Sequence, residues 1–290
     1  MKPVPFEYHA PSSIPDAIEL LRTLPNARVL AGGQSLVPML NLRAATPSHL
    51  IDIGTIADLC GIHETADCLH IGAMTTQRQI ERSQVIRAHC PLLTETVSHV
   101  GHQQTRNRGT IGGSLCHLDP GAELPVAAAV LEVTLTVEGR NGRRELPFEK
   151  FPAGYLTTTL ETDEILTQIE IRRAAPNEGY AFVEFNQRPA DFAVVSVAVL
   201  LALDSKRVSS ARIAVGGIDF APVRLVEAEA ALAGAILDRD ALDAAGGIAR
   251  ALACEGDEVS PSEFRQHLAG VLVRRALKTA ADRAKDGRNA

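Results

Sequence analysis

The run Val29-Leu30-Ala31-Gly32-Gly33-Gln34-Ser35-Leu36 leads an apolar extended segment into two glycines and then into residues suited to a helix start. Glycines at such a junction permit positive φ and close approach of the backbone to a ligand, and the free N–H groups of a helix start favour a phosphate. Ser35 adds a hydroxyl donor. Further along, Gly109-Thr110-Ile111-Gly112-Gly113-Ser114 follows the polar run Gln103-Gln104-Thr105-Arg106-Asn107-Arg108. Two such loops from adjacent units could clamp the two charged groups of a pyrophosphate. Each is equally a tight structural turn, as we read Gly216-Gly217 and Gly246-Gly247 to be. The pairing, more than either diglycine, carries the signal.

Competing signatures are missing. No GxGxxG follows the first strand, and GxxxxGK, GxSxG and HExxH do not occur, which argues against a Rossmann dinucleotide site, a P-loop, a serine hydrolase and a zinc protease. Five scattered cysteines without a CxxC pair point to a reducing compartment and provide no iron–sulfur or zinc set. With 29 basic against 35 acidic residues, a net charge of −6 and no Lys/Arg run, nucleic acid is not an expected partner. The start has no apolar leader core and no later run is long enough to span a bilayer, so a cytoplasmic chain without a membrane span is expected.

The elements that must position the loops can be read from periodicity. A length of 290 residues suggests two or three packed units. Strand signals at 6–9, 28–31 and 49–53 alternate with helix signals at 14–24 and 35–42, a βαβαβ rhythm that predicts a small parallel sheet. From 69 to 173 the pattern turns mixed: alternation over 130–137 before Gly139-Arg140-Asn141-Gly142 predicts a hairpin, and helices are expected over 75–83 and 90–100. Residues 174–179 read as a linker. Paired strands are expected at 194–203 and 208–215 around Asp204-Ser205-Lys206, then helices at 227–235 and 237–252. Ser260-Pro261-Ser262-Glu263 has the form of a capping box with Pro at the first helical position, opening a helix with Phe264, Leu268, Val271 and Leu272 on one face. The expectation is an α+β chain in three units, 1–60, 61–175 and 176–290.

At three places the chain resembles a known family. Residues 31–35, 106–114 and Asp119-Pro120-Gly121-Ala122-Glu123-Leu124-Pro125 are similar, in order and spacing, to signatures of the FAD-binding medium subunit of molybdenum hydroxylases, the xanthine dehydrogenase and carbon monoxide dehydrogenase type. Likeness extends to Asp163-Glu164-Ile165-Leu166 and to Arg188-Pro189-Ala190-Asp191-Phe192-Ala193. The resemblance implies the flavin fold shared with p-cresol methylhydroxylase and vanillyl-alcohol oxidase (PCMH/VAO-type), two α+β domains with FAD between them, and a C-terminal domain of antiparallel strands and helices of the CO dehydrogenase flavoprotein type.

By position, it implies that Ala31, Gly32, Gly33, Gln34, Ser35 and Leu36, with Thr110, Ile111, Gly112, Gly113 and Ser114, hold the pyrophosphate and neighbouring ribityl oxygens. Asp119 would accept from a sugar hydroxyl, or else cap the turn before Pro120. Leu166 would line the flavin cavity, or else be core. Phe192 would lie against the isoalloxazine ring, or else begin the apolar strand that follows. Gln34 stands where some relatives have His, and no Lys is found near Val183 or Glu184, where relatives often have one.

The resemblance also implies a function. Substrate would be oxidised at molybdopterin in a large partner subunit, electrons would cross two [2Fe–2S] clusters of a small partner subunit, and non-covalent FAD here would pass them to an external acceptor, in a dimer of heterotrimers. No catalytic or metal-ligating residue is then expected of this chain. The alternatives are a self-contained flavin oxidase of the same superfold and a non-catalytic nucleotide-binding scaffold subunit. The helix from 261 to about 284 is a candidate interface, though a solvated polar face would explain it equally.

Overall fold

The computed structural model describes residues 1–286. Its first unit holds β1 (Glu7–His9), α1 (Ile14–Thr23), β2 (Ala27–Leu30), α2 (Leu36–Leu42) and β3 (His49–Asp52), with the parallel strand order β1-β3-β2. The Ser13 hydroxyl caps α1 by accepting from the Asp16 amide, and Ala17 and Leu21 share a buried core with Ile51 and Ile53. Right-handed crossovers with short links are what a βαβαβ sequence rhythm allows, so the first strand-to-helix junction falls at residues 31–35.

The second unit comprises β4 (Ile62–Glu64), β5 (Cys68–Gly72), α3 (Gln77–Arg82), α4 (Gln84–His89), α5 (Pro91–His99), α6 (Gln103–Arg108), α7 (Ile111–His117), α8 (Glu123–Leu131), β6 (Thr134–Gly139), β7 (Gly142–Pro147), the small pair β8 (Pro152–Gly154) and β9 (Thr157–Thr158), and β10 (Ile165–Arg172). Its antiparallel sheet has the order β4-β5-β10-β6-β7. The expected hairpin forms, with Gly139 opposite Gly142, but its alternation begins later than read. Val130 and Leu131 complete α8, and Glu132 ends that helix in the left-handed conformation at φ 50°. An apolar stretch of this length fits a buried helix as well as a strand, and α8 is buried nearly all round.

The third unit holds β11 (Glu178–Phe185), β12 (Val195–Asp204), β13 (Arg207–Gly216), β14 (Val223–Arg224), α9 (Val226–Leu232), α10 (Arg239–Arg250) and α11 (Ser262–Asp286), with the sheet order β11-β12-β13-β14. The expected linker ends early, because Glu178 and Gly179 already pair with Ala202 and Leu201. The Arg172 guanidinium donates to the Glu178 carboxylate across the junction at 3.0 Å. Every residue of β12 but the last is buried, because both sheet faces are covered. Phe182, Ala198, Leu200 and Ala214 join the core of the second unit, while Val197, Val199, Leu201 and Ile213 pack with α9 to α11. The apolar face of α11 is spent in that second core, and a Cβ on Gly179 would fall 1.8 Å from the Ala280 carbonyl oxygen. Only its polar face is left for a partner.

Candidate cofactor site

The junction after β2 is built for an anion. Gly33 takes φ +73°, a conformation open to glycine and costly for a branched residue. The Gly33 carbonyl accepts from the Val37 amide at 3.0 Å and the Ser35 carbonyl from the Met39 amide at 3.2 Å. By contrast, the amides of Gly33, Gln34, Ser35 and Leu36 make no protein hydrogen bond among the described residues. Ser35 makes no side-chain cap either. Successive N–H groups in such a turn form a concave anion site. Gly33 and Gln34 line an open groove of about 410 Å³ together with Leu30, Pro38, Asp52 and Arg108.

The second loop lies directly against the first. A Cβ on Gly32 would sit 2.1 Å from the Arg108 carbonyl oxygen, and one on Gly113 would lie 3.5 Å from the Ala31 Cβ. This contact brings Ala31, Gly32, Gly112 and Gly113 together, as the paired loops suggested. The amides, however, are already engaged. Ile111 N–H donates to the Thr75 carbonyl at 3.1 Å, Gly112 N–H to the Ala73 carbonyl at 2.9 Å and Ser114 N–H to the Thr110 carbonyl at 3.1 Å. Gly113 N–H donates to the Thr110 hydroxyl at 3.0 Å. With the amides of residues 111–114 engaged, the second loop offers a ligand the Thr110 amide, its surface and the Ser114 hydroxyl, and the idea of two equivalent amide cradles narrows to one.

Two groove residues escaped the sequence reading. Asp52 ends β3, at the carboxyl edge of a parallel sheet where ligands collect, and that placement could have singled it out. Its carboxylate accepts from the Tyr8 hydroxyl at 2.5 Å and the Gly54 amide at 2.8 Å. Arg108 was visible only as part of a polar run. Its guanidinium makes no hydrogen bond or ion pair among the described residues, and it is exposed at the groove. An unpaired cation beside four free amides suits a diphosphate.

Helix α7 leads from the second loop to the Asp119 turn, and seven residues at 1.5 Å each set a spacing of about 10 Å. One Asp119 oxygen accepts from the Gly121 amide at 2.9 Å, which is the capping role; its other oxygen has no protein partner among the described residues and is open to a hydroxyl. Phe192 is 61 % exposed. It precedes β12, which starts at Val195, so the expectation that it begins a core strand is not met. Its Cβ lies 3.1 Å from where a Cβ on Gly121 would sit, so the residue stands beside the Asp119 turn. Leu166 is 3 % exposed within the core of the second unit, opposite Val137 and next to a strand irregularity; the structure places it in core and not on the groove.

Behind the turn lies a buried acidic cluster. Burial pushes the Glu123 carboxyl up to about 7, with Glu184 and Asp119 adding to the rise and His99 opposing it. Where relatives often have a lysine, Glu184 instead meets His99 at 3.3 Å and accepts from the Asn186 amide group at 3.1 Å. That bond to Glu184 raises the pKa of His99 against the effect of burial. Burial likewise pushes the Cys116 thiol on α7 up to about 12, leaving it unreactive.

A fold of two α+β units with a phosphate-type groove where their loops meet defines a dinucleotide-binding flavoprotein class. Comparison with known proteins is specific. Residues 4–173 match the family described as FAD binding domain in molybdopterin dehydrogenase, and residues 180–280 match the CO dehydrogenase flavoprotein C-terminal domain. The chain belongs to this family of FAD-binding medium subunits of molybdenum hydroxylases and is an oxidoreductase subunit. It is 38% identical to the carbon monoxide dehydrogenase medium chain of Afipia carboxidovorans over 99% of this chain and 100% of that one. Among solved structures, the carbon monoxide dehydrogenase of Hydrogenophaga pseudoflava that lacks the Mo-pyranopterin moiety superposes with a TM-score of 0.96 at 38% identity, covering 98% of this chain and 99% of that chain. Quinoline 2-oxidoreductase of Pseudomonas putida gives 0.94 at 34% identity, with coverage of 98% and 99%. No helix among the described residues is long and apolar enough to cross a membrane.

Proposed function

We propose that this chain is the FAD-carrying electron-transfer subunit of a molybdenum hydroxylase, taking electrons from [2Fe–2S] clusters of a small partner and passing them to an external acceptor. A large molybdopterin-binding partner would select the substrate, within a dimer of heterotrimers. The observation that carries the proposal is the run of free amides that begins at Gly33 and Gln34, in the lining of the same groove as the unpaired Arg108, and continues through Ser35 and Leu36 at the helix start. Chains similar over nearly their full length belong to enzymes named for carbon monoxide and for quinoline, which supports placing substrate choice in another subunit.

Bound there, FAD supplies the step between one-electron input and two-electron output. The chain's own groups hold and screen it. Amides of Gly33 to Leu36 donate to pyrophosphate oxygens, with Arg108 neutralising their charge and Ser35 and Ser114 offering hydroxyls. Asp119 keeps its turn with one oxygen and accepts from a sugar hydroxyl with the other. Phe192 covers the ring system and excludes water. Residues 31–36 and 110–114 contain no Cys, His or Tyr to tether a flavin, so the cofactor is held non-covalently and leaves on acid or heat treatment.

The test is co-purification of the full chain with its two partners followed by substrate. Bleaching of the flavin in the complex, and none in the isolated chain, is the expected result. Flavin reduction by organic substrate in the isolated chain would make it a self-contained oxidase, and a chain that takes up no FAD would make it a scaffold.

A further inference from the structure

Away from the groove, the parallel pairing of β1 and β3 assembles a ligand set that the sequence reading did not anticipate. Glu7 lies directly opposite His49, and His9 is two residues beyond Glu7 on the same strand face. The His9 Nε2 and His49 Nδ1 atoms are 3.2 Å apart, Glu7 Oε2 is 3.6 Å from His49 Nδ1, and it is 3.9 Å from His9 Nε2. Around a tetrahedral ion with bonds of about 2.0–2.1 Å, neighbouring ligand atoms lie about 3.3 Å from one another. The triangle thus needs only side-chain adjustments of a few tenths of an ångström to close on an ion.

We propose that Glu7, His9 and His49 bind one divalent transition-metal ion of the zinc type, which clips the edge strand β1 onto β3. Two imidazoles and one carboxylate favour borderline ions such as Zn²⁺, Ni²⁺ or Cu²⁺ over Mg²⁺ or Ca²⁺, which prefer all-oxygen shells. The imidazole side chains are 25% and 13% exposed while the carboxylate is 74% exposed, so the nitrogens are held by the fold and the carboxylate oxygen closes the triangle from the solvent side. Without a metal, the two facing ring nitrogens can share only one proton; an ion satisfies both lone pairs. Water completes the fourth position. The outer ring nitrogens find no protein acceptor among the described residues, so binding is weaker than in a four-ligand structural zinc site. Strand β1 is three residues long with β3 as its paired neighbour, and an ion bridging the two would hold the N-terminal segment in place. The site lies toward the start of β3, whereas the groove follows the end of β2, so metal binding and flavin binding are separable.

The experiment uses the full-length flavin-loaded chain after chelator treatment. Titration with Zn²⁺ should show one saturable equivalent, and Co²⁺ should give the intense visible bands of a four-coordinate nitrogen and oxygen site. His9→Gln and His49→Gln should abolish both signals, and Glu7→Gln, at an exposed position where a substitution usually moves stability by no more than about 0.5 kcal/mol, should weaken binding about tenfold or more. FAD content should not change in any of them. Absence of a saturable equivalent would reduce the cluster to a hydrogen-bonded Glu–His–His chain and overturn the proposal. So would Co²⁺ bands dominated by thiolate charge transfer, or binding unaltered in Glu7→Gln and His9→Gln.

Discussion

The two glycine loops look alike in sequence and do opposite work. The loop at residues 31–36 keeps its amides free and turns them outward, whereas that at residues 110–114 spends those of residues 111–114 on Thr75, Ala73 and Thr110. What separates them is what lies behind. Helix α2 starts at the open carboxyl edge of a three-stranded sheet, while α7 is driven into the turn after β5, where Ala73 leaves no room even for a methyl on Gly112. Gly33 is required by its positive φ beside the free amides, whereas Gly32 and Gly112 are required by close packing, on the Arg108 carbonyl and on Ala73 respectively. Diglycine motifs are thus ambiguous until the surroundings of each amide are known.

This contrast breaks most sharply at Gly33. Gly33→Val puts a branched side chain at φ +73° and misaligns the amides, so we expect a loss of about 4 kcal/mol in FAD binding, roughly a thousandfold in Kd, from two or more charge-assisted bonds. Flavin-to-protein ratio and titration of the apo chain report it, with the apoprotein still folded but destabilised by about 1–2 kcal/mol through the left-handed backbone. Equal losses of flavin binding and of fold would make the first loop structural as well.

Gly112→Ala tests the other side. Its methyl would meet the Ala73 Cβ at 2.6 Å and the Ala73 carbonyl oxygen at 2.8 Å, and overpacking of this kind costs up to about 3 kcal/mol. Denaturant unfolding should reveal that loss, while FAD affinity of the folded fraction stays within a few-fold of the parent. Affinity loss without destabilisation would return the second loop to the role of an amide cradle.

The support of the second loop is also where pH acts. Glu123 is buried at the start of α8 and its carboxyl is raised from the ordinary 4.5 to about 7. Folding therefore favours its protonated form, so this contribution is full below pH 4.5 and is lost as pH rises through 7. His99, also raised, acts in the same sense: its stabilising charge is lost as pH climbs past its folded-state pKa. The melting temperature should fall between pH 5.5 and pH 8. Glu123→Gln should flatten the decline and gain about 3 kcal/mol at pH 8, at about 1.4 kcal/mol per pH unit of displacement, and less than about 1 kcal/mol at pH 5. An unchanged pH profile would mean that Glu123 keeps its charge at little cost.

The smallest effect on the fold belongs to Phe192→Ala. With the side chain 61 % exposed, stability should move by no more than about 0.5 kcal/mol and FAD should be retained, yet the rate of flavin reoxidation by oxygen should shift several-fold as water reaches one ring face. Identical spectra and reoxidation rates would leave Phe192 without a flavin contact.

Much of this was legible in the chain. The βαβαβ rhythm, the hairpin at Asn141-Gly142 and the strand pair around Asp204-Ser205-Lys206 are local patterns, and local patterns survive folding. Helix α7 was not legible, because Ile-Gly-Gly-Ser is poor helix sequence. It forms because the Thr110 hydroxyl caps it and Ala73 and Thr75 accept its first amides. Nor were Arg108 and the Glu7, His9, His49 triangle, since each acquires its neighbours only through parallel pairing or loop contact; Asp52, at the end of a legible strand, was within reach. Long-range geometry of that kind leaves no trace in spacing.

The C-terminal sheet gives one core to its helices and lends Phe182, Ala198, Leu200 and Ala214 to the other. It is a party wall. During synthesis the flavin-binding part leaves the ribosome first with one side of its interior bare, and that side is sealed only when residues beyond 214 have followed. A transcript truncated after residue 175 would yield a sticky fragment in place of a smaller flavoprotein, captured by chaperones before any cofactor could reach it.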